Sequence, residues 1–303
     1  MKHIKKIFLL AGILMVAVSI SACGGKSAEQ KTLTIAYAPN ESTQQSSDAR
    51  NGLAKDLGEK LGMEVKEIQA SDYNAIVEAL RTGKADMAYM GPLAVALANE
   101  RANAEPLVMK AVNGDKSQAI YHSLLVTSSK NTAINSIQDI KGKTFAFVDP
   151  DSTSGNLIPT YEIIKAFPDD NLNSDLLHTN GKFFEAASYS GKHQAGLQAV
   201  IKGDVDVVPI SDHILAAEIS NGNAKKEDIK TIFKSSPIPA EAMVVREGMD
   251  AQLKQTLLDF LTSYANEDYF KLVIKEPTAR FVESGIEDYQ TIIDLNKTLN
   301  TQE

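Results

Sequence analysis

From Thr32 onward the chain alternates short apolar runs with amphipathic stretches. "LTIAYAP" precedes "SSDARNGLAKDLGEKLG", "EVKEIQA" precedes "YNAIVEALRTG", and "ADMAYMG" precedes "PLAVALANERANA". Leu53, Leu57 and Leu61 recur at helical spacing with charges between them, which marks a helix with one buried stripe. Strands interleaved with helices in this way fold as βαβ units on a mainly parallel sheet. The pattern also repeats, because "IVEALRTGKADMAYMGP" is echoed by "GLQAVIKGDVDVVPISD": a helix, a glycine-containing stop, an aspartate and a short apolar strand that ends in a loop. Two copies imply two similar α/β lobes, not a solenoid. Extended stretches at 118–129 and 231–247 flank the second copy and are where the chain is expected to cross between lobes. Lobe 1 would then run over 32–124 and be completed by 234–303, with lobe 2 at 125–233. The helices in "AQLKQTLLDFLTSYAN" and "IEDYQTIIDLNKTL" would pack on the outside of lobe 1.

The first residues stand apart from this pattern. Lys2, Lys5 and Lys6 precede an apolar run from Ile7 to Ile20, which closes on Ile20-Ser21-Ala22-Cys23. The run reads as an export signal over 1–22. Small residues directly before the only cysteine resemble a bacterial lipobox, which implies cleavage before Cys23, a diacylglycerol on its sulfur and a mature protein tied to the outer side of a membrane. Residues 23–31, small and polar, read as a flexible tether.

With its one cysteine taken by lipid, the chain has no thiol left for a disulfide or a thiolate metal site. Folding must rest on an apolar core, for which a 43% hydrophobic content suffices. Removal of the signal takes three lysines from 31 basic residues against 39 acidic ones, so the mature charge is about −11 and nucleic acid is an unsuitable partner. An anionic ligand would have to be captured by local geometry, against that overall sign.

One turn offers such geometry. In "FAFVDPDSTSGNLIPTYEIIKAF" a strand ends at Val148, Pro150 sets a turn, and helical periodicity resumes at Leu157, Ile158 and Tyr161. Ser152 is placed as the N-cap, so Thr153, Ser154 and Gly155 fall in the first turn, where backbone amides have no intrahelical acceptor. Free N–H groups, the positive end of the helix dipole and three hydroxyls together suit an oxyanion, and the same residues also suit a plain well-capped helix. No G-x-x-x-x-G-K-[ST] or G-x-G-x-x-G pattern is present, so the turn is built for holding, not for nucleotide chemistry.

Taken in order, "YMGPLAV", "IYHSLLV", "DPDSTSGNLIP", "SGKHQAGLQAVIKGDVDV" and "KSSPIPAEAMVV" resemble the substrate-binding lipoproteins of phosphonate, phosphite and phosphate ABC importers, from about Leu33 to Phe281. The resemblance implies an α/β, two-lobed periplasmic-binding-protein fold of type II, with two crossover strands and a ligand cleft between lobes. It also implies a monomer that binds a small phosphorus oxyanion, needs no cofactor and hands its ligand to a membrane permease. Carried over position by position, it gives Ser152, Thr153 and Ser154 as ligands of the phosphonyl oxygens, Tyr121 as a phenol donor, His193 as a ring donor and Tyr73 facing the organic substituent. Gly91 is taken as a backbone contributor. Glu241 falls where aminoalkylphosphonate binders carry an acid for the ligand's ammonium, and a buried carboxylate lacking a cationic partner would favour an amine. The second acid of such binders falls near Asp212 and His213, with His213 in the likelier position; that departure leaves phosphate, phosphite and methylphosphonate open.

Two other classes compete. A phosphoesterase-type enzyme would need a metal or an activated nucleophile, yet His122, His178, His193 and His213 form no metal-ligand pair such as H-E-x-x-H, and Ser152 has no identifiable base. A zinc-type solute receptor could use those histidines with Glu241, but it leaves the hydroxyl-rich turn unexplained.

Overall fold

The structure, a computed structural model, describes residues 32–41 and 44–301. The signal segment 1–22, Cys23 and the tether 23–31 lie outside the described residues. Lobe 1 is built on a six-stranded sheet. β1 (Thr32–Tyr37) leads through α1 (Gln44–Leu61) to β2 (Glu64–Gln69), and α2 (Tyr73–Arg81) leads to β3 (Met87–Met90). β1 pairs in parallel with both β2 and β3, the arrangement that βαβ crossovers produce. α3 (Pro92–Ala102) and β4 (Glu105–Val112) follow.

The chain then crosses at β5 (Ile120–Tyr121) into β6 (Ser123–Ser128), β7 (Thr144–Phe147), α4 (Ile158–Ala166), α5 (Ser174–His178), β8 (Ala186–Tyr189), α6 (His193–Lys202), β9 (Val207–Ser211), α7 (Asp212–Ser220) and β10 (Ile229–Lys234). It returns at β11 (Ile238–Pro239) into β12 (Ala242–Val245), α8 (Ala251–Ser263), α9 (Glu267–Leu272), β13 (Ala279–Glu283) and α10 (Gln290–Asn300). The sheet orders are β13-β4-β12-β3-β1-β2 and β10-β6-β9-β7-β8; both are mixed, not mainly parallel as the alternation implied, because β12 runs antiparallel to β3 and β4, β13 to β4, and β6 to β9 and β10. The extended crossing stretches are broken into short strands, and β5 pairs antiparallel with β11 through Ile238 and Tyr121. Pro237 and Pro239 carry no N–H, which limits how far either crossing can extend its ladder.

Strand periodicity divides each core in two. In the first sheet Leu33, Ile35, Tyr37 and Met243 face α1, α8 and α9, while Ala36, Ala88, Met90 and Val244 face α2, α3 and α10. In the second, Phe145, Phe147 and Val207 pack with Ile163 and Leu177, and Ala146, Val208 and Ile210 pack with Leu197 and Leu215.

The sequence echo has an atomic counterpart. Asp86 accepts from the Thr34 N–H at 2.9 Å and gives its own N–H to the Thr34 carbonyl. Asp206 does the same with Thr144, at 2.9 Å, and takes the Thr144 hydroxyl as well. In both lobes an aspartate entering the strand after a helix clasps a threonine in the first half of a neighbouring strand.

Candidate oxyanion site

Between the sheets lies a small cavity lined by Asn40, Tyr73, Gly91, Tyr121, Ser152, Thr153, Ser154, His193, Ser211 and Glu241, with Ala38, Tyr89, Met90 and Ile214. All eight residues singled out as ligand contacts in the sequence are therefore brought to one place. About 30 Å³ is open to the centre of a water-sized sphere, room for roughly two waters or one tetrahedral oxyanion. The walls come largely from helix starts: Tyr73 is the first residue of α2, Gly91 is the N-cap of α3, His193 opens α6, and Ser211 caps α7. With the turn before α4, five positive helix ends meet there, and their dipoles favour negative charge.

The turn at Ser152 departs from a regular helix. Ser152 caps it, its hydroxyl accepting from the Gly155 N–H at 3.1 Å, but Thr153–Leu157 forms a π-helical turn closed by the Leu157 N–H to the Ser152 carbonyl. The residue four places after Gly155 is Pro159, which has no N–H to give. The Gly155 carbonyl accepts instead from the Val148 N–H at 3.0 Å, pinning the turn to the end of its strand. A methyl group on Gly155 would stand 2.3 Å from Val148 Cβ. The glycine serves strand–helix contact.

The hydroxyls are arranged as donors toward the cavity. Thr153 Oγ1 accepts from the Leu93 N–H of the facing lobe at 2.8 Å, and Ser152 Oγ accepts from Gly155. A hydroxyl oxygen that accepts keeps its own proton to give. Ser154 Oγ lies 3.4 Å from His193 Nε2, while its carbonyl takes the Ser123 hydroxyl at 2.7 Å. Burial drives the His193 pKa down to about 4, aided by His213, while the Pro209 carbonyl and Glu241 pull the other way. The ring is neutral at pH 7. Burial likewise pushes the Tyr121 phenol well above its ordinary range, with Glu241 adding to the effect, while the Ser154 and Thr153 hydroxyls oppose it. The face formed by Ser152–Ser154, Tyr121 and His193 is thus made of neutral groups.

Two participants, Asn40 and Lys110, escaped the sequence reading, and a third, His213, takes a role the sequence did not give it. Asn40 donates to Tyr73 OH at 2.5 Å and accepts from the His193 N–H at 3.3 Å, so one amide joins two helix starts across the cleft. Lys110, buried in β4, puts Nζ 2.8 Å from Glu241 Oε2, and His213 Nε2 lies 3.0 Å from Oε1. Neither the Lys110 nitrogen nor Glu241 Oε2 makes an aligned hydrogen bond among the described residues, so that contact is one of charge. Burial opposes ionisation of Glu241, but His213 and Lys110 outweigh it and hold the carboxyl well below its usual range. The lysine was readable as the one charge in the middle of "PLVMKAV"; its partner was not. Gly91 gives its carbonyl to the Val95 N–H, so that oxygen is committed to α3. Asp212 accepts from the backbone N–H groups of His122 and His213 and lines a neighbouring cavity.

Among the described residues no group of three or more His, Cys, Asp or Glu side chains is placed to hold a metal ion. His122 faces the Ser235 carbonyl, and His178 faces Asn156 and the Ser174 carbonyl.

The model of a known family, the periplasmic substrate-binding protein of phosphonate ABC transporters, matches residues 35–289. The chain belongs to that family. Two curated relatives are similar over most of this chain. The phosphonates-binding periplasmic protein of Escherichia coli is 29% identical over 82% of this chain and 70% of its own. The phosphate-import protein PhnD of Mycolicibacterium smegmatis is 28% identical over 84% of this chain and 81% of its own. Among solved structures, a binding-protein component of an ABC phosphonate transporter from Pseudomonas aeruginosa superposes with a TM-score of 0.77 at 27% identity, covering 90% of this chain and 88% of that one. The two sheets joined by two crossings are the two-lobed periplasmic-binding fold of this family of transport components.

Proposed function

We propose that this protein captures a small phosphorus oxyanion, a phosphonate or its phosphite or phosphate relative, outside the cytoplasm and delivers it to an ABC permease. The observation that carries the reading is the convergence of the Ser152, Thr153 and Ser154 hydroxyls, Tyr121 and His193 on a cavity ringed by helix N-termini. Neutral donors held in place can bind an oxyanion tightly without a counter-charge of their own, because hydrogen bonds to a charged acceptor are the strong ones. The names of the two relatives divide between phosphonate and phosphate, so the headgroup common to both defines the ligand class.

Ligand capture is a closing motion about the paired crossings at β5 and β11, with 32–124 and 234–303 as one lobe and 125–233 as the other. The Leu93–Thr153 and Asn40–His193 hydrogen bonds span the cleft and would form as it shuts. Tyr73 and Glu241 complete the wall, and Gly91 supports it through the backbone. The receptor works as a monomer held to the membrane through lipid on Cys23, which intact-mass analysis of the membrane-extracted protein and of Cys23→Ala would test.

The function itself is tested by thermal unfolding with methylphosphonate, phosphite, phosphate and, as control, sulfate. A ligand at a hundred times its Kd stabilises the folded state by about 2.7 kcal/mol. A rise in Tm with at least one phosphorus oxyanion is expected, and no rise with any of them would end the reading.

A further inference from the structure

The cavity wall contains a single carboxylate among its lining residues, Glu241, and that carboxylate is already matched. The backbone brings the match about: the Lys110 N–H donates to the Glu241 carbonyl at 3.1 Å, making the two residues cross-strand neighbours just beyond the β4–β12 pairing, where opposite charges meet. Lys110 is 6% exposed, so it has little water to turn to, and its Nζ stands 2.8 Å from Oε2. His213, from the facing lobe, occupies the other oxygen at 3.0 Å. Both carboxylate oxygens are therefore engaged before any ligand arrives.

The same side chains form a partition. Behind the oxyanion cavity lies a second one, about 390 Å³, lined by Lys110, Gln118, Tyr121, Asp212 and His213 among others. Tyr121 belongs to both cavities, its ring 5.2 Å from that of His213 and 5.8 Å from Lys110 Nζ. A substituent growing from an oxyanion held at Ser152–Ser154 would meet this neutralised wall, in a space too small for a long chain. An ammonium group arriving there would find the carboxylate charge already countered by Lys110, and separating buried opposite charges is costly.

We propose that Lys110 sets the ligand selectivity of the cavity: by neutralising Glu241 from behind, it leaves no spare negative charge for a cationic substituent and directs the receptor to compact phosphorus oxyanions that carry none. This rests on the oxyanion reading above. Zwitterionic aminoalkylphosphonates are disfavoured by charge, and long neutral ones by the partition.

The test is calorimetry with methylphosphonate and 2-aminoethylphosphonate on the parent and on Lys110→Met, which keeps the length of the side chain and removes its charge. The parent should bind methylphosphonate at least tenfold tighter than the amine. In Lys110→Met the freed Glu241 should shift the ratio at least tenfold toward the amine. Should that variant not fold, Lys110→Gln, which keeps a donor beside Glu241 but no charge, should shift the ratio in the same direction. A parent that prefers the amine, or a ratio unmoved by either variant, overturns the proposal while leaving the oxyanion site intact. Binding of neither of these ligands, nor of phosphate or phosphite, overturns the function proposed above and this inference with it.

Discussion

Gly155 and Val148 are in contact across the strand-to-helix junction so closely that a Cβ on the glycine would lie 2.3 Å from Val148 Cβ and 2.4 Å from its Cγ2. The Val148 N–H also donates to the Gly155 carbonyl at 3.0 Å. Val148 is fully buried directly after β7, and it cannot yield without disturbing the sheet.

Gly155→Ala should therefore destabilise the protein by on the order of 3 kcal/mol, the upper range for over-packing. It should also displace the Ser152–Ser154 hydroxyls and weaken oxyanion binding. Urea unfolding and calorimetry on the same preparation check both. A variant with unchanged midpoint and unchanged affinity would show that the junction is not as tight as described.

Acid should weaken the fold through His193. Its pKa falls from 6.5 to about 4 on folding, burial being the main cause. Above about 6.5 neither state holds the proton, so the stabilisation is complete. Between 6.5 and 4 the unfolded chain takes up a proton that the folded one refuses, and stability drops by on the order of 3 kcal/mol. Below about 4 this group contributes no further change. Glu241, held low in the folded state, adds a loss of the same sign as pH falls from its ordinary range. The difference in unfolding free energy between parent and His193→Asn, measured from pH 7 to pH 4, isolates the histidine; a constant difference would refute it.

The paired aspartates should behave alike. Asp86 accepts from the Thr34 N–H and from Arg246 Nε, and Asp206 accepts from the Thr144 N–H and hydroxyl and from Asn131. Asp86→Ala and Asp206→Ala should each cost about 1.5 to 3 kcal/mol or more, since each leaves backbone donors without their charged acceptor. Urea midpoints read this directly, and an Asp206 variant as stable as the parent would deny the clasp its structural role.

Much of this was legible because it is periodic or repeated. The βαβ alternation around Leu53 and Leu57, the echo that ends in Asp86 and Asp206, and Ser152 as a helix cap all follow from local rules of spacing and capping. The π-helical turn was not read, although Pro159 carries its cause, because its consequence depends on where Val148 lies in space. Lys110 and Asn40 were missed for the same reason: each acts on a residue far along the chain, Glu241 or His193, and nothing local to either one names its partner. Glu241 was found by position, but its charge state is decided by Lys110 and His213, which only the folded chain brings to it.

The central claim, that the turn at Ser152–Ser154 holds the ligand's oxygens, is met most directly by calorimetric titration of methylphosphonate, phosphite and phosphate into the parent, Thr153→Ala and Thr153→Ser. Thr153 Oγ1 also accepts from Leu93 across the cleft, so the alanine loses a donor to the ligand and an acceptor for closure, whereas the serine keeps both. The account predicts that Thr153→Ala loses about 1.5 to 3 kcal/mol of binding to the best of the three ligands, roughly a ten- to hundredfold rise in Kd, with Thr153→Ser close to the parent. An alanine variant that binds as tightly as the parent would place the oxyanion elsewhere and contradict the account.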